Sequence, residues 1–307
     1  ALYERSMDMQ ATTVTKQARK QKKWLVYFFV LPAFLLHFVF IALPSLATVF
    51  YSFFDWNGIG QATFIGVQNY QEMFQDPEFY VALQNNFKWI AIFITVPVAL
   101  GLLMALWVSK LKKSQMFFRT IYFLPYIIAA AMAGRIWCSY LNPYFGINSV
   151  FKAIGLTELG KTLWLGNKEI ALYSVAFVDL WHFWGFVMVM FLGALQQVEP
   201  TLYESAKVEG ASKWQEFTNI TIPSIMPTLT FIVITIIMWS FLTFDYVWVM
   251  TGGGPGNASE LISTLVYRNA YSFYRTGYAS TICVFQTLLS VLAYAILQVV
   301  KKRGWDV

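Results

Sequence analysis

Six apolar stretches, each long enough to cross a bilayer, constrain this chain more than any other feature. They run from about Trp24 to Tyr51, Phe87 to Val108, Phe118 to Tyr140, Ile170 to Leu195, Ile225 to Met250 and Ala279 to Val300. A helix rises 1.5 Å per residue, so about 20 apolar residues cross a hydrocarbon core of ~30 Å. Each stretch therefore predicts a membrane helix. Only 12% of the 307 residues are charged, against ~25% in soluble domains, so a soluble fold is excluded. Cys138 and Cys283 both lie inside apolar stretches, which speaks against a disulfide framework or a metal site. The first stretch is too long for the apolar region of a cleaved leader and reads as a retained helix. At roughly 40 Å it exceeds the hydrocarbon core, so tilt or projection is expected. Pro32 and Pro44 are its kink positions.

Lysine and arginine orient the spans, because cytoplasmic loops carry an excess of both. The tail 1–23, the connection between the second and third spans, the loop after the fourth span and the C-terminal residues hold 15 of them. The opposite loops and their borders hold 6. The net charge of +6 thus reports topology rather than nucleic-acid binding. The expected organisation is a basic cytoplasmic tail (1–23), a six-span membrane domain (24–300) and a short cytoplasmic tail (301–307), with both termini cytoplasmic.

The loop between the fourth and fifth spans, residues 199–223, has internal order beyond that of a connector. Pro200 suits a helix start, and Glu204, Ala206, Lys207 and Glu209 are compatible with a helix. Gly210 permits a bend, Ser212 is placed to N-cap a second short helix, and Pro223 and Pro227 punctuate the entry to the next span. A helix, a bend and a second helix outside the bilayer form a shape suited to a partner's cleft.

The spacing inside this loop is specific. Glu204-Ser205-Ala206, three residues, Gly210, nine residues, then Ile220-Thr221-Ile222-Pro223 resembles the Glu-Ala-Ala loop of ATP-binding-cassette importer permeases, with Ser205 for the first Ala and Ile222 for the usual Leu. Two further segments resemble the carbohydrate branch of that family. Arg119-Thr120-Ile121-Tyr122-Phe123-Leu124-Pro125-Tyr126 on the third span is similar to a Leu-Pro-Tyr segment, and Thr251-Gly252-Gly253-Gly254-Pro255 to a Gly-Gly-Pro outer loop. The resemblance implies an all-α, six-span type I importer permease fold with a cytoplasmic helix-bend-helix coupling loop. It implies a multi-pass protein of a bacterial or archaeal cytoplasmic membrane that translocates a sugar or oligosaccharide. It also implies the partners: a second permease chain, two ATPase subunits carrying the ATP and Mg, and an extracytoplasmic solute-binding protein. Glu204, Ser205, Ala206, Gly210, Ile220 and Pro223 would couple to the ATPase. Tyr126, His182, Phe183, Phe186, Trp239, Ser240 and Thr243 would line the substrate path; Ala130 falls on the same path but offers no polar side chain. The chain itself would bind no cofactor and would not be an enzyme. No Gly-x-x-x-x-Gly-Lys phosphate loop occurs, and Gly252-Gly253-Gly254 reads as a flexible outer turn.

Residue chemistry suits the sugar reading. Sugars stack on aromatic faces while hydrogen bonds fix their hydroxyls, and the fourth and fifth spans mix aromatic and polar residues around His182 and Trp239. Three charges fall in or near spans: Arg135, Asp179 and Asp245. Such charges face a partner or a cavity. An Arg135–Asp179 pair joining two spans is one expectation, and Arg135 facing an acidic sugar is the alternative; Asp245 reads as a hydrated charge near an outer end. Two rival functions remain open at the level of sequence. An ATP-independent secondary carrier would show midplane coupling-ion groups and often a repeat, and a membrane enzyme would need a constellation beyond Asp179 and His182, which lie about one helical turn apart.

Overall fold

All six apolar stretches are helical, but two of them are broken part-way. The computed structural model describes residues 27–111 and 113–302, so the predicted tail 1–23 and most of the C-terminal tail lie outside the described residues. Helix α1 spans Tyr27–Tyr51. Its wide π-turn at Phe38–Ala42 lies just before Pro44, which has no N–H for the Phe40 carbonyl. A small antiparallel ribbon follows, β1 (Phe54–Asp55) against β2 (Thr63–Phe64), with Phe54 opposite Phe64. After α2 (Gln68–Met73) comes α3 (Pro77–Val108). The segment between the first two apolar stretches, up to Asn86, is therefore about half helix. Asp76 accepts the Glu78 amide and Pro77 occupies the first turn, so α3 starts ten residues ahead of its apolar stretch.

The third span is two helices, α4 (Gln115–Ile127) and α5 (Ala130–Tyr140), meeting at 92°. Pro125 lies three residues before the break, where it removes one helical hydrogen bond, and Ile128 and Ala129 are extended. A connecting segment then carries α6 (Ile147–Ala153) and leads into α7 (Ala171–Leu195). Next come α8 (Pro200–Val208) and the long α9 (Lys213–Leu242). The expected fifth span also breaks: α9 ends at Leu242, and α10 (Asp245–Met250) is separate. Helix α11 (Ile262–Tyr267) and α12 (Thr276–Lys302) complete the chain.

Helix α7 is central. Val187, Met188 and Phe191 on it pack against Trp89 and Phe93 of α3 and Ile232 and Ile236 of α9. Lipid tails are as apolar as these side chains, so close fit rather than water exclusion holds the bundle together. Two glycines make that fit possible. Gly101 of α3 lies against Val187 and the Met188 backbone, and Gly185 of α7 lies directly on the Tyr122 carbonyl of α4. Most of α1, by contrast, presents exposed apolar residues such as Phe29 and Phe40, as a lipid-facing helix does.

The glycine turn after α10 is not the flexible turn expected of it. Gly252, Gly253 and Gly256 adopt positive φ. Glu260 is completely buried beneath Gly253 and paired with Arg268, which also donates to Asn257 Oδ1 (2.9 Å) and the Gly252 carbonyl (3.1 Å). Asn85 of α3 donates to the carbonyls of Ala258 and Glu260, both at 3.0 Å. The turn is thus pinned to the bundle.

A methyl group at Gly185 collides with the Tyr122 carbonyl, whereas Gly193 on the same helix has open space around it. Gly185→Ala is expected to destabilise the detergent-solubilised protein by about 1–3 kcal/mol, the usual cost of overpacking. Gly193→Ala is expected to leave thermal unfolding unchanged.

Candidate functional site

The two helix breaks lie side by side, and a cavity of about 240 Å³ opens between them. Each break frees backbone carbonyls, and side chains hold several of them. At the α4/α5 break, His182 Nε2 of α7 donates to the Ile128 carbonyl at 2.8 Å. A carbonyl oxygen only accepts, so Nε2 carries the proton. At the α9/α10 break, Asn86 donates to the Ser240 carbonyl (2.9 Å) and accepts from the Ile262 amide (2.8 Å). Gln286 of α12 donates to the Phe241 carbonyl (2.5 Å), and Ser263 to that of Thr243. Irregular backbone survives among membrane helices only when satisfied in this way.

The cavity gathers most of the residues expected on the substrate path. Tyr126, His182, Phe183, Trp239, Ser240 and Thr243 line it, as does Ala130. Phe186 stands behind the wall, stacked on Tyr126 with ring centroids 4.9 Å apart and 6.1 Å from Trp239. Phe183 bridges to Trp239 at 5.6 Å. The hydroxyls of Ser240 and Thr243 donate to the carbonyls of Ile236 (2.7 Å) and Trp239 (3.0 Å) within α9, which leaves them only as acceptors toward the cavity. His182 is likewise committed at one nitrogen, so an acid–base pairing with Asp179 is not its principal role.

Sequence reasoning missed Trp89, Phe93 and Tyr246, which complete the wall. Trp89 and Phe93 stack at 5.3 Å on α3. Their i, i+4 spacing was a readable signal, but the outer end of a span also suits an interfacial anchor.

The expected Arg135–Asp179 ion pair does not form. Arg135 is exposed on α5, and the ion pairs among the described residues do not include it. Asp179 instead faces the cavity, and so does Asp245. The break after Leu242 turns the start of α10 toward α7, which a continuous span would not do.

The 199–223 loop has the expected bend. The Ala211 amide donates to the Ala206 carbonyl (2.9 Å) and the Gly210 amide to that of Lys207 (3.2 Å), with Gly210 at φ +77°. These crossed bonds form a Schellman motif that ends α8. Ser212 and Gln215 then form a reciprocal capping box. The second helix differs from expectation. It is not a separate short helix but the first turn of α9, continuous with the span through a π-turn at Phe217–Thr221. Pro223, which lacks an N–H for the Asn219 carbonyl, accounts for that widening. Glu204 and Ser205 are exposed, Ala206 and Ile220 half-buried. Tyr203 and Thr221 share a hydroxyl hydrogen bond (3.0 Å) that ties α8 to the foot of α9. Val208 and Trp214 stand out as exposed apolar side chains on the same loop.

The chain is similar to known proteins over most of its length. A family model described as binding-protein-dependent transport system inner membrane component matches residues 97–305. The probable ABC transporter permease protein YurN of Bacillus subtilis is 36% identical, over 91% of this chain and 96% of its own. The probable starch degradation products transport system permease protein AmyD of Thermoanaerobacterium thermosulfurigenes is 28% identical over 94% and 99%. A crystal structure of a bacterial ABC transporter that imports the acidic polysaccharide alginate contains a chain of the same fold. Its TM-score is 0.82 at 23% identity, covering 92% of this chain and 97% of that one.

His182 has a backbone duty that is separable from anything it does toward a ligand. His182→Ala strands the Ile128 carbonyl and is expected to cost about 1–3 kcal/mol in thermal unfolding. His182→Gln retains a donor and is expected to recover most of that loss.

Proposed function

The chain belongs to the family of binding-protein-dependent transport system inner membrane components, and on that premise we propose that it conducts a sugar or oligosaccharide for an ATP-driven importer. As a member of that family it is a multi-pass membrane component of a transport system. The observation that carries the saccharide reading is the cavity between the helix breaks. Tyr126, Phe183 and Trp239 supply aromatic faces, while Ser240, Thr243 and the Asp179 carboxylate supply acceptors for sugar hydroxyls. The permease named for starch degradation products among the similar proteins supports the same substrate class.

In this reading the 199–223 loop docks in a cleft on a cytoplasmic ATPase. Glu204, Ser205, Ala206 and Gly210 shape the docking helix and its bend, and Ile220 and Pro223 join it to α9. Exposed Val208 and Trp214 supply the apolar contact. ATP and Mg act on two such ATPase subunits. A second permease chain completes the pathway, and an extracytoplasmic binding protein delivers solute to the opposite face. The coupling loop and both termini then lie in the cytoplasm, and closure of the ATPase dimer shifts the cavity between outward and inward access.

Two measurements test this. Affinity capture of the intact chain from membranes is expected to bring an ATPase and a second permease. Glu204→Lys combined with Gly210→Pro, which Pro cannot accommodate at positive φ, is expected to lose or uncouple the ATPase. Recovery of the intact chain alone, still transporting, would overturn the proposal. Separately, Tyr126→Ala and Trp239→Ala are each expected to lower saccharide uptake about tenfold or more, the equivalent of ~1.4 kcal/mol of stacking and burial. Unchanged uptake in both removes the assigned path.

A further inference from the structure

Building on the saccharide reading, we propose that Asp179 and Asp245 form a charge filter in the cavity, so that neutral and amino-bearing saccharides pass while acidic ones are rejected. The two carboxylates come from different helices, α7 and α10, and both open into the same space. Neither belongs to an ion pair among the described residues, and Arg135, the nearest candidate from sequence, is directed elsewhere. No Lys or Arg lines the cavity. Among the described residues, then, no cation of this subunit faces the two carboxyl groups in the cavity.

A second observation marks the place as built for a ligand. Tyr246 lies next to Asp245 and is 4% exposed, yet its buried hydroxyl has no hydrogen-bond partner. It lines the cavity against His182, with ring centroids 5.8 Å apart. A buried hydroxyl without a partner is costly, and a sugar oxygen placed there supplies one. Recognition then divides by chemistry. Tyr246 offers a proton, and the two carboxylates accept protons from ligand hydroxyls or ammonium groups. Ser240 and Thr243, whose protons are already engaged within α9, only accept. A ligand carboxylate would find two carboxyl groups and no Lys or Arg on the wall to compensate it, an arrangement that discriminates against it away from bulk water. The similar fold that serves an acidic polysaccharide elsewhere does not extend to this lining, because fold and site chemistry vary independently.

The test uses the complete transporter, both permease chains with the ATPase, in lipid nanodiscs and without the binding protein, so that the membrane cavity alone selects. Three matched probes are titrated: a neutral glucose disaccharide, its glucosamine counterpart and its glucuronate counterpart. The glucuronate probe is expected to bind about tenfold or more weakly than the neutral one, and the glucosamine probe at least as well. In Asp179→Asn/Asp245→Asn the glucuronate penalty is expected to disappear along with any gain for glucosamine. Asp245→Asn alone, at an exposed position, is expected to close part of the gap and decides the matter if the double variant does not fold. Equal binding of the three probes by the unaltered transporter overturns the filter while leaving the saccharide reading intact. So does a glucuronate penalty that persists in the variants. Binding of none of the three probes overturns the saccharide reading and the filter with it.

Discussion

A backbone carbonyl inside a membrane domain has no water to turn to, and the architecture of this protein follows from how it meets that demand at two helix breaks. The Ile128 carbonyl is satisfied by His182, and those of Ser240, Phe241 and Thr243 by Asn86, Gln286 and Ser263. These bonds reach from α7, α3, α12 and the first turn of α11. The same contacts that make the irregular backbone tolerable therefore hold the bundle in register. Breaking a helix also moves its side chains off the cylinder. That is how Asp245 and Tyr246 come to share a cavity with Asp179 rather than continue along the fifth span.

The polar groups in the bundle divide into those spent on the backbone and those left over. Asn85, Asn86 and Gln286 are engaged with backbone groups, as are the protons of Ser240 and Thr243. Glu260 and Arg268 hold one another and the glycine turn after α10. What remains facing the cavity is a small set: two carboxylates, the Tyr126 and Tyr246 phenols and one nitrogen of His182. This separation matters for reading any substitution in the region, because Asn86 is tied to backbone groups whereas Asp179 faces the cavity.

The sequence was a good guide to elements and a poor one to their interruptions. Apolar length located all six spans, and the Gly210 bend was legible because a fixed motif spacing and a residue with a unique backbone range coincide there. The cavity set was largely legible too, since the Leu-Pro-Tyr segment and the coupling loop fixed the register of α4 and of α7–α9. The breaks were hidden because hydropathy does not change across Ile128 or Thr243. Pro125 was the one local sign, and a proline in a membrane helix more often bends it than stops it. Asn85 and Asn86 looked like the end of a polar loop, because their partners lie some 150 or more residues away. The Arg135–Asp179 pairing failed for the same reason. Estimating depth along two straight helices is sound, but α5 is turned 92° from α4, and that carries Arg135 out of reach.

The continuity of α9 has a mechanical meaning. A single helix runs from Lys213, beside the coupling bend, to Trp239 at the cavity, with no hinge wider than a π-turn near its foot. At 1.5 Å per residue that is an arm of ~40 Å, so a tilt of roughly 10° at its base sweeps the cavity end through about 7 Å. Such a sweep is comparable to the width of a sugar ring. The helix has the proportions of a lever whose short arm lies between Gly210 and Pro223: a modest movement at that foot becomes a large displacement of Trp239 and Thr243.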